Sequence, residues 1–277
     1  MRAIQLAVAC VAVLVVTSGQ VQARILVVDS PASDPWLPEV RNKLTETGLL
    51  AGPVDIFNSK YGTPTLGTLQ DYDSVLDFSD DNFQNTALLV NNLADFVDVG
   101  GGVVVMTFAN AAAQTSSLSL GGRWATQNYD PLKPLSASQG TPLTLGTIYD
   151  ASHPILNGVH TFSGGSSSFH GTGPLNLNAI PIADWSNGRS LIATLDTFPG
   201  RIASLNFYAP SSDSRSDFWT ASTDGDILMV NALNYTSSNV SAVPEPSSLA
   251  LFGIGACVAG IRAARRRRHE KPQEATA

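Results

Sequence analysis

Cysteine is almost absent from this chain: its 277 residues contain only two, Cys10 and Cys257. Both lie in short apolar segments near the two ends, so residues 24–242 between those segments contain none. A thiol nucleophile and a disulfide framework are therefore both excluded from the central region. That region must depend on its hydrophobic core for stability.

Basic residues are also scarce in residues 24–242, where nine Lys and Arg stand against 20 Asp and Glu, a net charge of −11. Such a surface repels nucleic-acid phosphates, so we expect no nucleic-acid partner. Nucleotide-binding glycine motifs and a Gly-x-Ser-x-Gly nucleophile turn are missing as well. The histidines of this region, His153, His160 and His170, match no zinc spacing, and we expect neither a metal nor another cofactor.

The N-terminus has the three parts of a secretory signal peptide. Met1 and Arg2 precede an apolar stretch over residues 3–16, and Val21-Gln22-Ala23 supplies the small residues that flank a cleavage site. We therefore predict a signal peptide over residues 1–23, cleaved after Ala23. A permanent membrane helix is the alternative, but the apolar stretch is short for one.

The C-terminus contains a linker followed by an apolar segment. Pro244, Glu245 and Pro246 cannot continue a helix or a strand ladder, which predicts an exposed, extended linker. Residues 247–264 are mostly apolar and, with their Ser and Ala flanks, come close to the length that a membrane span requires. We predict a transmembrane helix there.

A basic cluster follows the predicted helix and consists of Arg265, Arg266, Arg267 and Arg268. Such a cluster stays on the cytoplasmic side, so the region before Pro244 lies outside the cytoplasm. Pro-Glu-Pro, apolar helix and basic cluster, in this order, resemble the PEP-CTERM sorting signal of Gram-negative bacteria that make exopolysaccharide. The resemblance covers residues 243–269 and leaves a cytoplasmic tail over residues 270–277; a chance tail anchor is the alternative.

This resemblance implies partners and a destination. The partners are the secretion machinery and an exosortase-type processing enzyme, which cuts near Pro-Glu-Pro. The protein is anchored in the membrane before processing and is then released to the cell surface or extracellular matrix.

Between the two signals, residues 24–242 alternate strand and helix patterns without an internal linker. Continuous apolar runs predict strands over residues 24–29, 54–57, 72–78, 103–108 and 201–208. Helical periodicity predicts helices over residues 36–47, 86–99 and 224–235, with a short turn or helix over residues 65–70. This alternation is typical of one α/β domain with an open, mostly parallel sheet flanked by helices.

Residues 111–200 differ from the rest of the domain because the helical period disappears there. We predict a β-rich insertion with strands over residues 142–148, 159–162, 180–185 and 191–195. Asn187-Gly188 lies between the last two and predicts a hairpin turn. Further along, Thr223 and Asp226 predict a capping box at the start of the last helix.

Several pieces of the domain occur in a familiar order. They are the first strand ending at Asp29, the glycines and strand of residues 100–105, the segment 152–159, the strand after Gly200 and the helix around residues 231–233. Their order resembles the class I glutamine amidotransferase-like superfamily, a flavodoxin-like fold that includes the ThuA-like proteins. The resemblance extends over about 200 residues.

The resemblance implies a catalytic cysteine in the turn after the strand of residues 103–108. The sequence from Thr107 to Ala112 offers neither Cys nor Ser in that turn. We therefore do not expect amidotransferase activity. Thr107 is interpreted as a structural strand residue rather than a nucleophile.

Ligands of an open parallel sheet bind at the C-terminal ends of its strands. Polar residues expected near those ends are the candidate ligand-binding residues: Asp29, Asp77, Asp81, Asn110, His153 and Asn206. The group formed by Asp77, Asp80 and Asp81 offers hard oxygen ligands for calcium or magnesium. We interpret Asp80 and Asp81 instead as residues that start the next helix, where negative charge is favourable.

These observations favour an exported surface or matrix protein whose domain has lost its nucleophile and binds rather than converts a ligand. The ligand is expected to be a carbohydrate or another envelope component, because the sorting signal is linked to exopolysaccharide. One alternative is a ThuA-like or metal-assisted hydrolase acting on sugars, with Asp29, Asp77, Asp81 and His153 as its site. A structural matrix protein is the second alternative.

Overall fold

The computed structural model describes residues 22–111 and 117–237. The predicted signal peptide lies outside the described residues except for its last two positions. The predicted sorting signal, membrane helix and cytoplasmic tail lie outside them entirely. Within the described ranges, no helix has the length and apolar composition needed to cross a membrane.

Strands and helices alternate through the first half of the described chain and strands dominate its second half. The strands are β1 (Ile25–Ser30), β2 (Val54–Asn58), β3 (Ser74–Ser79), β4 (Gly102–Thr107), β5 (Ala137–Ser138), β6 (Leu145–Ile148), β7 (His170–Gly171), β8 (Ile180–Trp185), β9 (Ser190–Leu195) and β10 (Ile202–Tyr208). The helices are α1 (Trp36–Glu46), α2 (Leu66–Leu69), α3 (Thr86–Asp98), α4 (Gly122–Thr126) and α5 (Gly225–Ser237). A short 3-10 helix covers Pro154–Leu156.

The main sheet has eight strands in the order β2-β1-β3-β4-β10-β9-β8-β6. The first five are parallel, and β9, β8 and β6 extend the sheet in antiparallel pairing beyond β10. A separate two-stranded sheet pairs β5 with β7. The prediction of an open, mostly parallel sheet flanked by helices is confirmed. Its strand order reverses direction beside β1, the position where flavodoxin-like folds place their ligands.

Helices cover both faces of the parallel strands, which explains why these strands are continuous apolar runs. On one face α1 and α5 pack against alternate strand residues such as Val27 and Leu76. On the other face α3 and α4 pack against the intervening residues, such as Val28 and Val75. We call these the α1/α5 face and the α3/α4 face. Side chains alternate along a strand, so each polar residue near the end of β1 or β3 lies on only one of these two faces.

The region of residues 111–200 does not form a separate layer, because three of its strands continue the main sheet. Strands β8 and β9 form the predicted hairpin, and Gly188 adopts the left-handed conformation (φ +78°) that its turn requires. The predicted strand over residues 159–162 is wrong, although Phe162 packs in the core. The next residue, Ser163, pairs with Thr144 in an isolated β-bridge. Helix α4 was not predicted, since five residues are too few to show a helical period.

The predicted capping box at the last helix is also wrong. The Thr223 hydroxyl accepts a hydrogen bond from the Ser163 N–H at 3.3 Å instead of capping α5. Asp226 accepts from the N–H of its own neighbour, Ile227, at 2.8 Å. Asp224 accepts from the Thr161 N–H at 2.7 Å. Thr223 and Asp224 therefore join the start of α5 to the β-rich region, whereas the contact of Asp226 stays within the helix.

Gly165 provides a test of how tightly this region is packed. Its φ of +72° is unfavourable for other residues, and an added Cβ would collide with the carbonyl oxygen of Phe218. Gly140 has a similar φ of +89° but open space around the Cβ position. We expect Gly140→Ala to cost about 1–2 kcal/mol of unfolding free energy and Gly165→Ala about 1–3 kcal/mol more. Urea unfolding of both variants measures the difference, and equal losses would contradict the packing described.

Candidate functional site at the C-terminal edge of the sheet

Asp29 lies near the C-terminal end of β1, on the α1/α5 face of the sheet. Its side chain is 0% exposed, and neither carboxyl oxygen has a hydrogen-bond partner among the described residues. Burial raises the pKa of Asp29 well above its usual range, and the negative charges of Asp77 and Asp80 raise it further. The environment therefore favours the neutral acid, which is a proton donor.

Asp80 and Tyr208 lie close to Asp29 at the same edge. Asp80 follows β3 and is half-buried; burial raises its pKa to about 6, although Arg215 and the Tyr208 hydroxyl act in the opposite direction. Tyr208 ends β10, and burial together with the charges of Asp29 and Asp80 raises the pKa of its phenol. The strand ends thus bring together two carboxyl groups and a phenol in an environment that disfavours negative charge.

Aromatic rings surround this polar centre. The Tyr208 ring lies 4.9 Å from that of Phe218 and 5.5 Å from that of Phe108, measured between ring centroids. Phe108 in turn contacts Phe169 at 5.3 Å in an edge-to-face arrangement. Trp36 closes the cluster with a centroid distance of 5.3 Å to Phe218. Trp36, Phe108 and Phe169 are half-buried residues, whereas Tyr208 and Phe218 are almost fully buried.

Arg215 adds a positive charge to the rim of the cluster. Its guanidinium lies 4.1 Å from the centroid of the Phe218 ring, within cation–π range. Two of its nitrogens donate to the Asp217 carboxylate at 2.5 and 2.9 Å, which fixes the plane of the guanidinium. We use the term edge site for Asp29, Asp80, Tyr208 and Arg215 together with Trp36, Phe108 and Phe169.

Asp77 and Asn110 are at the correct edge of the sheet but on its other face. Asp77 follows Val75 by two residues and therefore shares the α3/α4 face. Asn110 follows β4, and its amide nitrogen donates to the Ser204 hydroxyl at 2.9 Å. The sheet lies between these two side chains and Asp29, so they do not belong to the edge site.

Asn206 ties neighbouring segments to β10. Its amide nitrogen donates to the carbonyl oxygens of Gly171 and Ser190 at 3.0 and 2.7 Å, and its amide oxygen accepts the Gly171 N–H at 2.6 Å. The Thr107 hydroxyl also donates to that oxygen, at 3.4 Å. The contacts with Gly171 and Ser190 occupy the amide group of Asn206. The hydrogen bond from Thr107 makes that hydroxyl part of the same structural network.

Asp81 does not start a helix, contrary to our interpretation of the sequence. Helix α3 begins five residues later and is capped by Asn85, whose side chain accepts the Leu88 N–H at 3.0 Å. The Asp81 carboxylate instead forms an ion pair with Lys60 at 2.7 Å, and this contact lowers its pKa. Asp80, its neighbour in the chain, is the carboxyl group that reaches the edge site.

His153 lies at the opposite edge of the sheet, so its expected place near the strand C-termini is wrong. It lines a groove of about 720 Å³ together with Arg201, which precedes β10, and Tyr235, near the end of α5. Its ring lies 4.9 Å from the Tyr235 ring, its Nδ1 accepts the Ile155 N–H at 3.3 Å, and burial lowers its pKa.

The set proposed for a metal-assisted hydrolase, Asp29, Asp77, Asp81 and His153, is therefore divided among separate places. In the part of the chain that the structure describes, no three His, Cys, Asp or Glu side chains come together as a metal-ligand group.

Sequence reasoning did not identify Tyr208, Arg215 or the aromatic rings of the edge site. These residues come from segments around positions 36, 108, 169, 208 and 215, which are far apart in the chain and contain no common motif. Asp80 alone carried a signal, because it lies two residues after the strand predicted over residues 72–78, at the end where ligands bind.

Comparison with known proteins supports both parts of the sequence analysis. Residues 242–268 match the PEP-CTERM protein-sorting motif. This motif implies that the protein is exported, is anchored in the membrane before cleavage and is processed by an exosortase-type system. No curated protein sequence gave a significant match.

Two solved structures are similar to the domain. A ThuA-like protein from Parabacteroides merdae has 15% identity and a TM-score of 0.53; the match covers 81% of this chain and 94% of that one. A ThuA-like protein from Bacteroides uniformis has 13% identity and a TM-score of 0.55, with 77% and 91% covered. At these identities the likeness concerns the fold alone. The predicted resemblance to ThuA-like, flavodoxin-like proteins is confirmed at that level.

The raised pKa of Asp80 predicts a pH dependence of stability. A carboxyl whose pKa is about 6 when folded and 3.8 ordinarily contributes stability that is complete below about pH 4 and is lost as the pH rises toward 6. We expect the unfolding free energy of the wild type to decrease over this interval more than that of Asp80→Asn. Denaturant unfolding from pH 4 to pH 7 provides the measurement.

Asp81→Asn is the matched control for this experiment, since Asp81 is the adjacent carboxyl and its pKa is lowered rather than raised. It should retain the decrease between pH 4 and 6. Parallel curves for wild type and Asp80→Asn would show that Asp80 titrates normally in the folded protein.

Proposed function

We propose that the protein is a carbohydrate-binding protein of the cell surface or extracellular matrix and that the edge site holds the sugar. The observation that carries this proposal is the group of half-buried rings, Trp36, Phe108 and Phe169, beside the Asp80 carboxyl. Sugar rings have apolar C–H faces and polar edges. An aromatic platform flanked by hydrogen-bonding groups suits both.

The charged groups of the edge site supply the hydrogen bonds. Near neutral pH, Asp80 is mainly ionised and accepts hydrogen bonds from hydroxyl groups, whereas Arg215 donates them. Arg215 is held by Asp217 and Phe218, so little of its side-chain freedom remains to be lost on binding. The exopolysaccharide link of the sorting signal motivates a polysaccharide of the producing cell as the ligand.

The absence of a nucleophile favours binding over catalysis. No cysteine occurs in residues 24–242, and the described turn after β4, Phe108 to Ala111, contains neither Ser nor Cys. Covalent acyl or thioester chemistry of the amidotransferase type therefore has no attacking group there.

One observation favours a second candidate function, sugar hydrolysis. Burial raises the pKa of Asp29 and favours its neutral acid, whereas Asp80, with a pKa of about 6, is mostly ionised near neutral pH; two carboxyl groups that differ in this way can act as acid and base. Glycosidases use such pairs on either side of the bond they cut. A hydrolase of this type would need no metal and no cysteine.

Binding experiments separate these functions. The probe is the exopolysaccharide purified from the producing bacterium, titrated calorimetrically into wild type, Phe169→Ala and Asp80→Asn. We expect each variant to bind at least about tenfold more weakly, since a lost ring or charged hydrogen bond costs about 1–3 kcal/mol. Tyr149→Ala, which removes an exposed ring beside β6 at the far end of the sheet (56% exposed), should bind like the wild type.

Two other outcomes would favour a different function. Release of reducing sugar by the wild type, lost in Asp29→Asn and Asp80→Asn, would favour the hydrolase. Equal binding by all variants, or no binding to any sugar, would reject the edge site as a carbohydrate site and leave a structural matrix role.

Processing at both ends is part of the proposal. We propose cleavage after Ala23, anchoring by residues 247–264 and a second cleavage near Pro244-Glu245-Pro246. Intact-mass analysis of the surface or secreted protein should show a chain that begins at Arg24 and ends near that tripeptide. Mature extracellular protein that retains Arg265 to Arg268 would contradict this processing.

A further inference from the structure

The groove beside His153 lies at the N-terminal edge of the parallel strands, across the sheet from the edge site. Its volume of about 720 Å³ is within the range typical of small-molecule sites. Three segments that are far apart in the chain form it. Arg201 precedes β10, Tyr235 lies in the last turns of α5, and His153 precedes the 3-10 helix.

The ring of Tyr235 brings a cation and a hydrogen-bond donor together in this groove. The guanidinium carbon of Arg201 lies 4.9 Å from the centroid of that ring, and the His153 ring lies 4.9 Å from it, measured between centroids. Tyr235 is itself fixed, because its hydroxyl donates to the two oxygens of the Asp196 carboxylate at 2.8 and 2.7 Å. Arg201 and His153 are therefore both positioned against one anchored ring.

Arg201 has no ion-pair partner among the described residues, whereas Arg123 and Arg215 are paired with aspartates. Its Nη1 donates to the carbonyl oxygen of Tyr235 at 3.3 Å, which holds one side of the guanidinium. The N–H groups of Nη2 and Nε remain on the other side. Such a pair matches the two oxygens of a carboxylate through two parallel hydrogen bonds.

His153 offers a donor rather than a second charge. Its Nδ1 accepts the Ile155 N–H at 3.3 Å, so the proton of the neutral ring is on Nε2. Burial lowers the pKa of His153, which keeps the ring neutral near pH 7. The Nε2–H group is then available to a ligand oxygen.

The remaining lining suits the hydroxyls and C–H groups of a sugar. Asn157 and Asn231 contribute amide groups, and Ala151 and Pro154 contribute apolar surface. The amide nitrogen of Asn231 is used by the carbonyl oxygens of Ile155 and Asn157, at 3.1 and 2.7 Å, so its amide oxygen is the remaining acceptor.

The charge of the lining selects an anionic ligand. None of the nine lining residues is Asp or Glu, so Arg201 supplies the full charge of the described lining, in a domain that is otherwise strongly acidic. Two carboxylates lie beside the groove without lining it. Asp196 accepts from Tyr235, and Asp150 accepts from the N–H and hydroxyl of Ser152 at 2.9 and 2.6 Å.

We propose that this groove binds a sugar acid, a single uronic acid unit, as a second ligand site of the protein. Arg201 holds the carboxylate through two parallel hydrogen bonds and the Nε2–H of His153 adds a third. The amide groups of Asn157 and Asn231 bind hydroxyls. The site shares no residue with the edge site and does not rest on the function proposed for it.

The experiment is a calorimetric titration of the purified full protein with galacturonate and, separately, with galactose, which has no carboxylate. Galacturonate should bind at least about tenfold more tightly than galactose, because the sugar acid alone makes the charge-assisted hydrogen bonds to Arg201. Arg201→Gln should weaken galacturonate binding by a similar factor and leave the affinity for galactose unchanged.

Two further variants test the roles within the groove. Arg201→Lys retains the charge without the paired N–H groups, so its affinity should lie between those of the wild type and Arg201→Gln. His153→Phe keeps a ring against Tyr235 but removes the Nε2–H donor, and it should bind galacturonate about threefold more weakly. It also provides the test if Arg201→Gln does not fold.

Arg189→Gln is the matched control. Arg189 also donates one N–H to a backbone carbonyl oxygen, that of Thr172 at 2.8 Å, and has no ion-pair partner in the part of the chain that the structure describes. It lies in the turn between β8 and β9, outside the groove. This variant should bind galacturonate like the wild type.

Three results would overturn the proposal. One is the absence of galacturonate binding at millimolar concentration, and another is equal affinity of the wild type for galacturonate and galactose. The third is galacturonate binding that is lost in Phe169→Ala and unchanged in Arg201→Gln, since the ligand would then lie in the edge site. That third result would leave the carbohydrate-binding function standing, so the two proposals can fail separately.

Discussion

Side chains alternate between the two faces of each parallel strand, and helices cover both faces of this sheet. A polar residue near the end of a strand is therefore committed to one of two separate environments, which the backbone keeps apart. Asp29 and Asp77 illustrate this constraint, since Asp29 follows the residues of β1 that contact α1 and Asp77 follows those of β3 that contact α3. The edge site depends on this division.

Burial of the carboxyl groups of Asp29 and Asp77 is costly in free energy. An unpaired buried carboxylate costs several kcal/mol, and the domain has no cysteine with which to offset this through disulfides. The compensation must come from the two apolar cores, which include large buried side chains such as Trp124, Trp185 and Trp219. Because a domain of this size is only marginally stable, a buried group such as Asp29 uses up a substantial part of that stability, and the edge-site proposal assigns it a role.

The β-rich region contributes to the edge site as well as to the sheet. Strands β9, β8 and β6 continue the sheet beyond β10 and so cover a strand edge that would otherwise be exposed. The segment before β7 places Phe169 against Phe108, and Asn206 fixes it there through its contacts with Gly171. An α/β domain of this kind can acquire a new binding surface by such an addition while its parallel core stays unchanged.

The sequence by itself determined the sorting motif, the succession of strands and helices and the carboxyl groups near the C-terminal ends of β1 and β3, because these are local patterns. Tertiary structure alone decided which of these groups meet. The rings of the edge site come from segments more than 170 residues apart, as the contact between Trp36 and Tyr208 shows. His153 and Asp81 were misplaced for the same reason. A residue close in sequence to a predicted strand end can lie at either edge of the sheet and can have any of several partners. Long-range packing and strand register decide both.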